Sequence, residues 1–163
     1  MAKISDLLHE DCIIEEFAAT SKVDVLREFA SLLKSRGRVS DEAELVRVLQ
    51  ERETLGSTGI GDGVAIPHAR MRALPTMIVG FGRSSRGIEY QALDGRPVFL
   101  FFLLVTPDGM PGDHLKTLAR ISRIVKNPVL RSGLLRAEGK QEMQRLIFEE
   151  DAKYPQPQPA ARR

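Results

Sequence analysis

Residues 98–105 read Val-Phe-Leu-Phe-Phe-Leu-Leu-Val, eight apolar residues with no polar interruption. A run of this length falls far short of the ~20 residues that span a bilayer. It suits a strand covered on both faces, the pattern of a sheet centre, because a half-exposed strand alternates apolar and polar residues. The rest of the chain then has to supply cover for two faces of one sheet.

Amphipathic segments able to do so stand on either side of the run. Ser21 to Arg36 carries Val23, Leu26, Phe29, Ala30 and Leu33 at helical spacing, with Ser21 as N-cap and Gly37 just beyond the end. Ser40-Asp41-Glu42 opens a second helix through Leu45, Val48 and Leu49 towards Arg52-Glu53. After the run, Asp113 is read as the cap of a helix bearing Leu115, Leu118, Ile121, Ile124 and Val125, with His114 in its first turn. Asn127-Pro128 supplies a cap and first helical residue for another, and Glu142 to Glu149 reads as a last helix. Ile4, Leu7 and Leu8 have helical spacing and lead to a short strand at Cys12-Ile13-Ile14. Val64-Ala65-Ile66 and Thr76 to Gly82 are further strands, Leu55 to Gly63 is a glycine-rich loop, and Leu93-Asp94-Gly95-Arg96 is a turn. The expected fold class is α/β, a mixed β-sheet flanked by helices, because the elements lack regular βαβ spacing. Residues 1–150 form the expected domain, and 151–163, with Pro155, Pro157 and Pro159, a proline-rich tail without a fold of its own.

Composition excludes several classes of function. A chain of 163 residues buries about two-thirds of its unfolded surface and needs no metal or disulfide staple. Lys plus Arg number 24 against 22 Asp plus Glu, so no charge excess points to nucleic acid. Cys12 is the single cysteine, which excludes an internal disulfide and any multi-cysteine zinc site. The polar start of the chain, with Glu10 and Asp11, lacks the apolar core of a secretory signal, so the protein is expected to be cytoplasmic and not inserted in a membrane.

The chemistry-bearing stretch runs from Arg52 to His68: Arg-Glu-Thr-Leu-Gly-Ser-Thr-Gly-Ile-Gly-Asp-Gly-Val-Ala-Ile-Pro-His. Its glycines either make a tight connection or let backbone N–H groups, with the Ser57 and Thr58 hydroxyls, surround phosphate oxygens. Two nucleotide motifs fail on spacing. Gly56 and Gly61 are set as in a Walker A loop, but Asp62 stands where lysine is required, and Val64 occupies the third glycine position of a dinucleotide fingerprint. No GxSxG elbow and no HExxH cluster occurs, so hydrolase and metal-centre readings lack their motifs and no metal is assigned. His68, alone, is either a hydrogen-bonded structural residue or a nucleophile whose neutral ring offers a free nitrogen. Phosphoryl transfer needs mainly positioning and charge stabilisation, which Arg52, His114 and loop N–H donors are able to provide.

Taken together, Arg52 through Ala-Ile-Pro-His68, Leu93-Asp94-Gly95-Arg96-Pro97-Val98, and His114-Leu115-Lys116-Thr117-Leu118 closely resemble the type-2 EIIA domains of the phosphoenolpyruvate-dependent phosphotransferase system. This family has fructose, mannitol and nitrogen-regulatory branches, and the resemblance spans roughly Ile4 to Phe148. It implies an EIIA mannitol/nitrogen-type fold and a phosphocarrier function. In that pattern His68 matches the phosphorylated histidine, at Nε2, with His114 as its hydrogen-bonding neighbour and Arg52 as a phosphate-stabilising cation. Ser57, Thr58 and Gly59 are assigned to the phosphate cradle on physical grounds. The implied donor is an HPr-like phosphocarrier, and the acceptor an EIIB domain or a regulated target protein, with no cofactor and no magnesium. The wording Arg-Glu-Thr-Leu-Gly-Ser-Thr-Gly-Ile-Gly is most similar to the nitrogen-regulatory branch. Sugar uptake and a binding module that has lost phosphotransfer remain alternatives.

Overall fold

Among the described residues, 3–155 of a computed structural model, the apolar run becomes the central strand of a six-stranded mixed sheet. The chain runs through α1 (Ile4–Leu7), β1 (Leu8–Ile14), α2 (Lys22–Ser35), α3 (Glu42–Thr54), β2 (Gly59–Gly61), β3 (Val64–Ala65), β4 (His68–Met71), β5 (Ile78–Ile88), β6 (Val98–Pro107), α4 (Pro111–Ile124), α5 (Pro128–Arg136) and α6 (Lys140–Ala152). Sheet order is β1-β5-β6-β3-β2, with β4 also paired to β6. β5 lies antiparallel to β6, whereas β3 and β4 lie parallel to it on its other side.

Alternation along β6 divides the core in two. Phe101, Leu103 and Val105 face Val25, Leu26 and Phe29 of α2 and Leu45 and Leu49 of α3. Leu100, Phe102 and Leu104 face Ile121 and Ile124 of α4, Leu134 of α5, and Met143 and Ile147 of α6. Each of these side chains is worth about 1.5–3 kcal/mol when fully buried, so a strand apolar on both faces is stable only between two helical layers. The mixed sheet flanked by helices is therefore as expected.

Side-chain caps mark the starts of α2, α3 and α5. Ser21 Oγ accepts from the Asp24 amide at 3.3 Å, and Asn127 Oδ1 accepts from the Val129 amide at 2.9 Å. Asp41, the middle residue of the expected cap, accepts from the Glu44 amide at 2.9 Å. Asp113 does not cap α4. That helix starts two residues earlier at Pro111, behind Met110, because proline presets the helical φ and has no N–H to leave unpaired. The first strand likewise starts earlier than the apolar triplet, at Leu8.

Two other boundaries move. The stretch expected as loop contains a β2–β3 hairpin, turned by Asp62 (φ 56°) and Gly63 (φ 76°). Two successive positive φ values are what a two-residue hairpin turn requires, and Asp-Gly satisfies them. At the other end, α6 continues past residue 150 through Asp151, whose side chain is buried, to Ala152. Tyr154 packs beneath the Arg123 guanidinium, 5.2 Å from the ring centroid. The proline-rich stretch from 156 onward lies outside the described residues.

Candidate functional site

Ile66 and Pro67 join β3 to β4 without changing register along β6. Val64 pairs with Leu100, Ala65 with Phe101, His68 with Leu104, and Pro67 O accepts from the Leu104 amide at 3.0 Å. His68 is thus the first residue of a strand, a position one step further into the sheet than a residue trailing behind a strand. Because β4 pairs on one side only, His68 stands at a sheet edge open to side chains from both helical layers.

Arg52 arrives from one layer and His114 from the other. Arg52, in the last turn of α3, donates from Nε to His68 Nε2 at 3.2 Å and from NH1 to the Gly56 carbonyl at 2.9 Å. The His114 ring, near the start of α4, lies with its centroid 5.6 Å from that of His68, and its Nδ1 is 2.8 Å from the Thr106 hydroxyl. The three residues singled out from sequence therefore converge.

The hydrogen bonds determine the His68 tautomer. Nδ1 is 2.6 Å from the Ile66 carbonyl oxygen, which only accepts, so Nδ1 carries the proton. Nε2 of the neutral ring is then the lone-pair nitrogen, as its acceptance from Arg52 also requires. Burial is the main cause holding the His68 pKa below its ordinary value; the Ile66 bond opposes it and the Arg52 charge adds to it. A neutral imidazole with one proton anchored inward and one lone pair directed at a guanidinium has the chemistry to act as a nucleophile beside a cation able to stabilise an anion.

The sequence model described as phosphoenolpyruvate-dependent sugar phosphotransferase system, EIIA 2, matches residues 6–150. The chain belongs to the type-2 EIIA family. EIIA domains act as phosphotransfer components of that system. The chain is 39% identical over 124 residues to a nitrogen regulatory protein of Bradyrhizobium diazoefficiens, covering 76% of this chain and 80% of that one. It is 33% identical over 149 residues to the fructose-specific EIIABC component of Bacillus subtilis, spanning 91% of this chain but only 24% of that longer protein. In fold it is similar to the IIA-Ntr protein of Neisseria meningitidis, with a TM-score of 0.83 at 30% identity over 88% of this chain and 98% of the other. Its likeness to the mannitol IIA of Escherichia coli, with a TM-score of 0.72 at 18% identity over 85% and 97% of the two chains, is one of fold.

Within this EIIA domain the glycine-rich loop serves the protein itself. Ser57 Oγ donates to the Tyr90 carbonyl at 2.8 Å and accepts from the Gly59 amide at 3.1 Å. Thr58 is buried, its amide and hydroxyl both bonded to the Glu53 carboxylate. A Cβ at Gly59 would press to 2.9 Å from Ala92, so glycine is needed there for close packing. The Ser57 hydroxyl, the Thr58 amide and hydroxyl and the Gly59 amide are all bonded within the loop and its surroundings.

Sequence reasoning passed over the side chains that support the site. Glu53 also accepts from the Tyr90 hydroxyl at 2.8 Å and pairs with Lys22 Nζ at 2.8 Å, tying the end of α3 to the start of α2. Lys22 and Tyr90 carry no local signal, since each meets Glu53 only through the fold. Thr106 had one, as the first polar residue after the apolar run.

Burial lowers the His114 pKa from 6.5 to about 4, with the His68 and Arg70 charges adding to it. The unfolded ring takes up a proton below pH ~6.5, whereas the folded ring stays neutral until about pH 4. Its contribution is present above pH 6.5 and is lost as pH falls towards 4, on the order of 3 kcal/mol in all. Urea unfolding of wild type and His114→Gln at pH 7.5 and 5.0 should show a shallower loss of stability in the variant. Equal slopes would remove His114 as the source.

Among the described residues no group of three or more His, Cys, Asp or Glu side chains is placed to hold a metal ion, and no helix is long and apolar enough to cross a membrane.

Proposed function

We infer that the chain accepts a phosphoryl group on His68 Nε2 from an HPr-like carrier and holds it as a signal in a nitrogen-regulatory phosphotransferase system. The observation that carries this reading is the paired hydrogen bonding of His68: Nδ1–H held by the Ile66 carbonyl, Nε2 directed at Arg52. In the transfer, the P–N bond to the donor imidazole breaks with its electron pair going to the donor nitrogen, while the Nε2 lone pair forms the new N–P bond. His68 keeps its Nδ1 proton, so a donor ring protonated on its other nitrogen transfers no proton at all. Arg52 meets the phosphoryl charge as it arrives. In the tautomer where the Thr106 hydroxyl donates to His114 Nδ1, the His114 proton sits on Nε2, the arrangement this reading requires for a bond to a phosphoryl oxygen. Leu55, three residues after Arg52, and Leu115, directly after His114, are 83% and 67% exposed and offer a partner apolar contact at the ends of the two site helices.

Incubation with phosphoenolpyruvate, enzyme I and an HPr-like carrier should add one acid-labile phosphate by intact mass. Arg52→Ala should fold normally and accept phosphate roughly 10²-fold more slowly, the cost of one lost donor at developing charge. An unchanged rate would exclude Arg52 from the site.

Relatives named as fructose-specific EIIA components, one of them 37% identical over 83% of this chain, favour a second reading in sugar uptake. Onward transfer to an EIIB domain separates the two: a fructose-type EIIB that discharges the phosphorylated chain at a physiological rate establishes uptake, and its inertness leaves regulation.

A further inference from the structure

We propose that Arg70 is a second cation of the phosphoryl site, solvated while His68 is free and closing onto the phosphoryl group once His68 carries one. This rests on the phosphocarrier reading above. The unchanged register along β6 sends Val64, Ile66, His68 and Arg70 to one face of the sheet, since side chains alternate along a strand. Val64 and Ile66 share a core with Leu100 and Leu104, whereas Ala69 and Met71 pack in the opposite core with Val105. Arg70 is therefore the next residue after His68 in its row, ~6.6 Å along the strand. It pairs in register with Thr106, the residue that bonds His114.

The charges around Arg70 leave it available. It is exposed, and among the described residues no carboxylate lies within ion-pair distance of it. It borders a surface hollow together with Arg52, Leu55, Glu51 and Asp108. Both acids of that hollow are engaged by other arginines: Glu51 with Arg47 at 2.5 Å and Asp108 with Arg72 at 3.6 Å. The hollow therefore presents two guanidinium groups beside the edge strand. The Arg70 charge already acts at the site, being one of the causes that hold His114 neutral.

A phosphoryl group brings between one and two negative charges to Nε2, more than the single Arg52 cation balances. A guanidinium meets a phosphoryl group through two parallel N–H···O bonds, a geometry unavailable to a lysine ammonium. Arg70 then stabilises the phosphorylated state relative to the free one, and its loss shifts the transfer equilibrium back towards the donor.

The test uses the full chain with an HPr-like carrier, catalytic enzyme I and a fixed phosphoenolpyruvate-to-pyruvate ratio, reading both phosphorylated fractions at equilibrium by intact mass. Arg70→Gln should lower the equilibrium constant for transfer about 10-fold, and Arg70→Lys about 3-fold, both effects shrinking at high salt. An unchanged equilibrium constant in Arg70→Gln, with or without a slower rate, overturns the proposal, because a residue that only docks the donor alters rate alone. Failure of wild type itself to take up phosphate instead overturns the phosphocarrier reading, so the two failures are distinguishable.

Discussion

Replacing His68 with alanine should abolish phosphoryl uptake and leave the chain folded. The substitution removes the Nε2 lone pair that Arg52 faces, and the neighbouring ring offers no substitute, since His114 is buried with Nδ1 against Thr106. The structural cost is two hydrogen bonds at a half-buried position, Nδ1–H to the Ile66 carbonyl and Arg52 Nε–H to Nε2, together about 2 kcal/mol. That corresponds to a fall in Tm of about 4–8 °C for a domain of this size. Intact mass after incubation with the complete donor system, beside a thermal melt, reads both. A phosphate still gained by His68→Ala would refute the assignment, and a collapse in Tm would make His68 a structural residue first. A lost phosphate with a preserved melt separates chemistry from folding.

The largest stability effect is expected far from that site. Asp151, 1% exposed near the end of α6, bonds Arg120 Nε through Oδ1 and accepts from the Ile4 amide through Oδ2 at 3.0 Å. Arg120 NH2 also donates to the Asp151 carbonyl at 3.1 Å. One buried carboxylate thus joins α1, α4 and α6, and α4 is the helix that presents His114. Asp151→Ala leaves the Arg120 charge buried without its partner and should cost about 3–5 kcal/mol. At about 2–4 °C per kcal/mol, Tm should drop by roughly 6–20 °C. The double variant Arg120→Met with Asp151→Leu removes both charges and should recover most of the loss, because the ion pair's own desolvation cost offsets much of its attraction. Denaturant unfolding of the single and double variants checks this. A single variant within 1 kcal/mol of wild type would show that the clamp is dispensable.

The two predictions divide the protein's polar groups by what surrounds them. Arg120 and Asp151 are desolvated and fully paired, so removing either leaves an uncompensated charge. Arg52 and His68 lie half-buried at an open strand edge. Glu53 stands between these extremes: it is bonded by Lys22, Tyr90 and Thr58, and it follows Arg52 directly on α3. Its role is to hold that helix end in place, so that the Arg52 guanidinium meets Nε2.

Short-range chemistry is legible in the amino-acid order alone. The apolar run at 98–105 required a strand covered on both faces, because period-2 alternation is a property of the strand alone. Ser21 and Asn127 marked helix starts because a cap bonds an amide two or three residues away. Arg52, His68 and His114 were legible through motif resemblance, each set in a distinctive local wording. The Asp62-Gly63 hairpin was encoded locally too, and was hidden inside a stretch whose glycines also fit an open loop.

Features that depend on residues distant in the chain were settled by packing. Strand order, the entry of β4 alongside β6, and the meeting of Arg52 and His114 from opposite layers at one sheet edge follow from packing, for which no local period exists. The same holds for Ser57, Thr58 and Gly59, whose composition suits an anion cradle but whose donors went to Glu53, Tyr90 and one another once α3 and the 89–97 connection closed around them. A hydrogen-bonding group's capacity is visible in sequence, whereas its partner is chosen by the fold, because burial forces each donor to bond whatever acceptor the packed chain brings within reach.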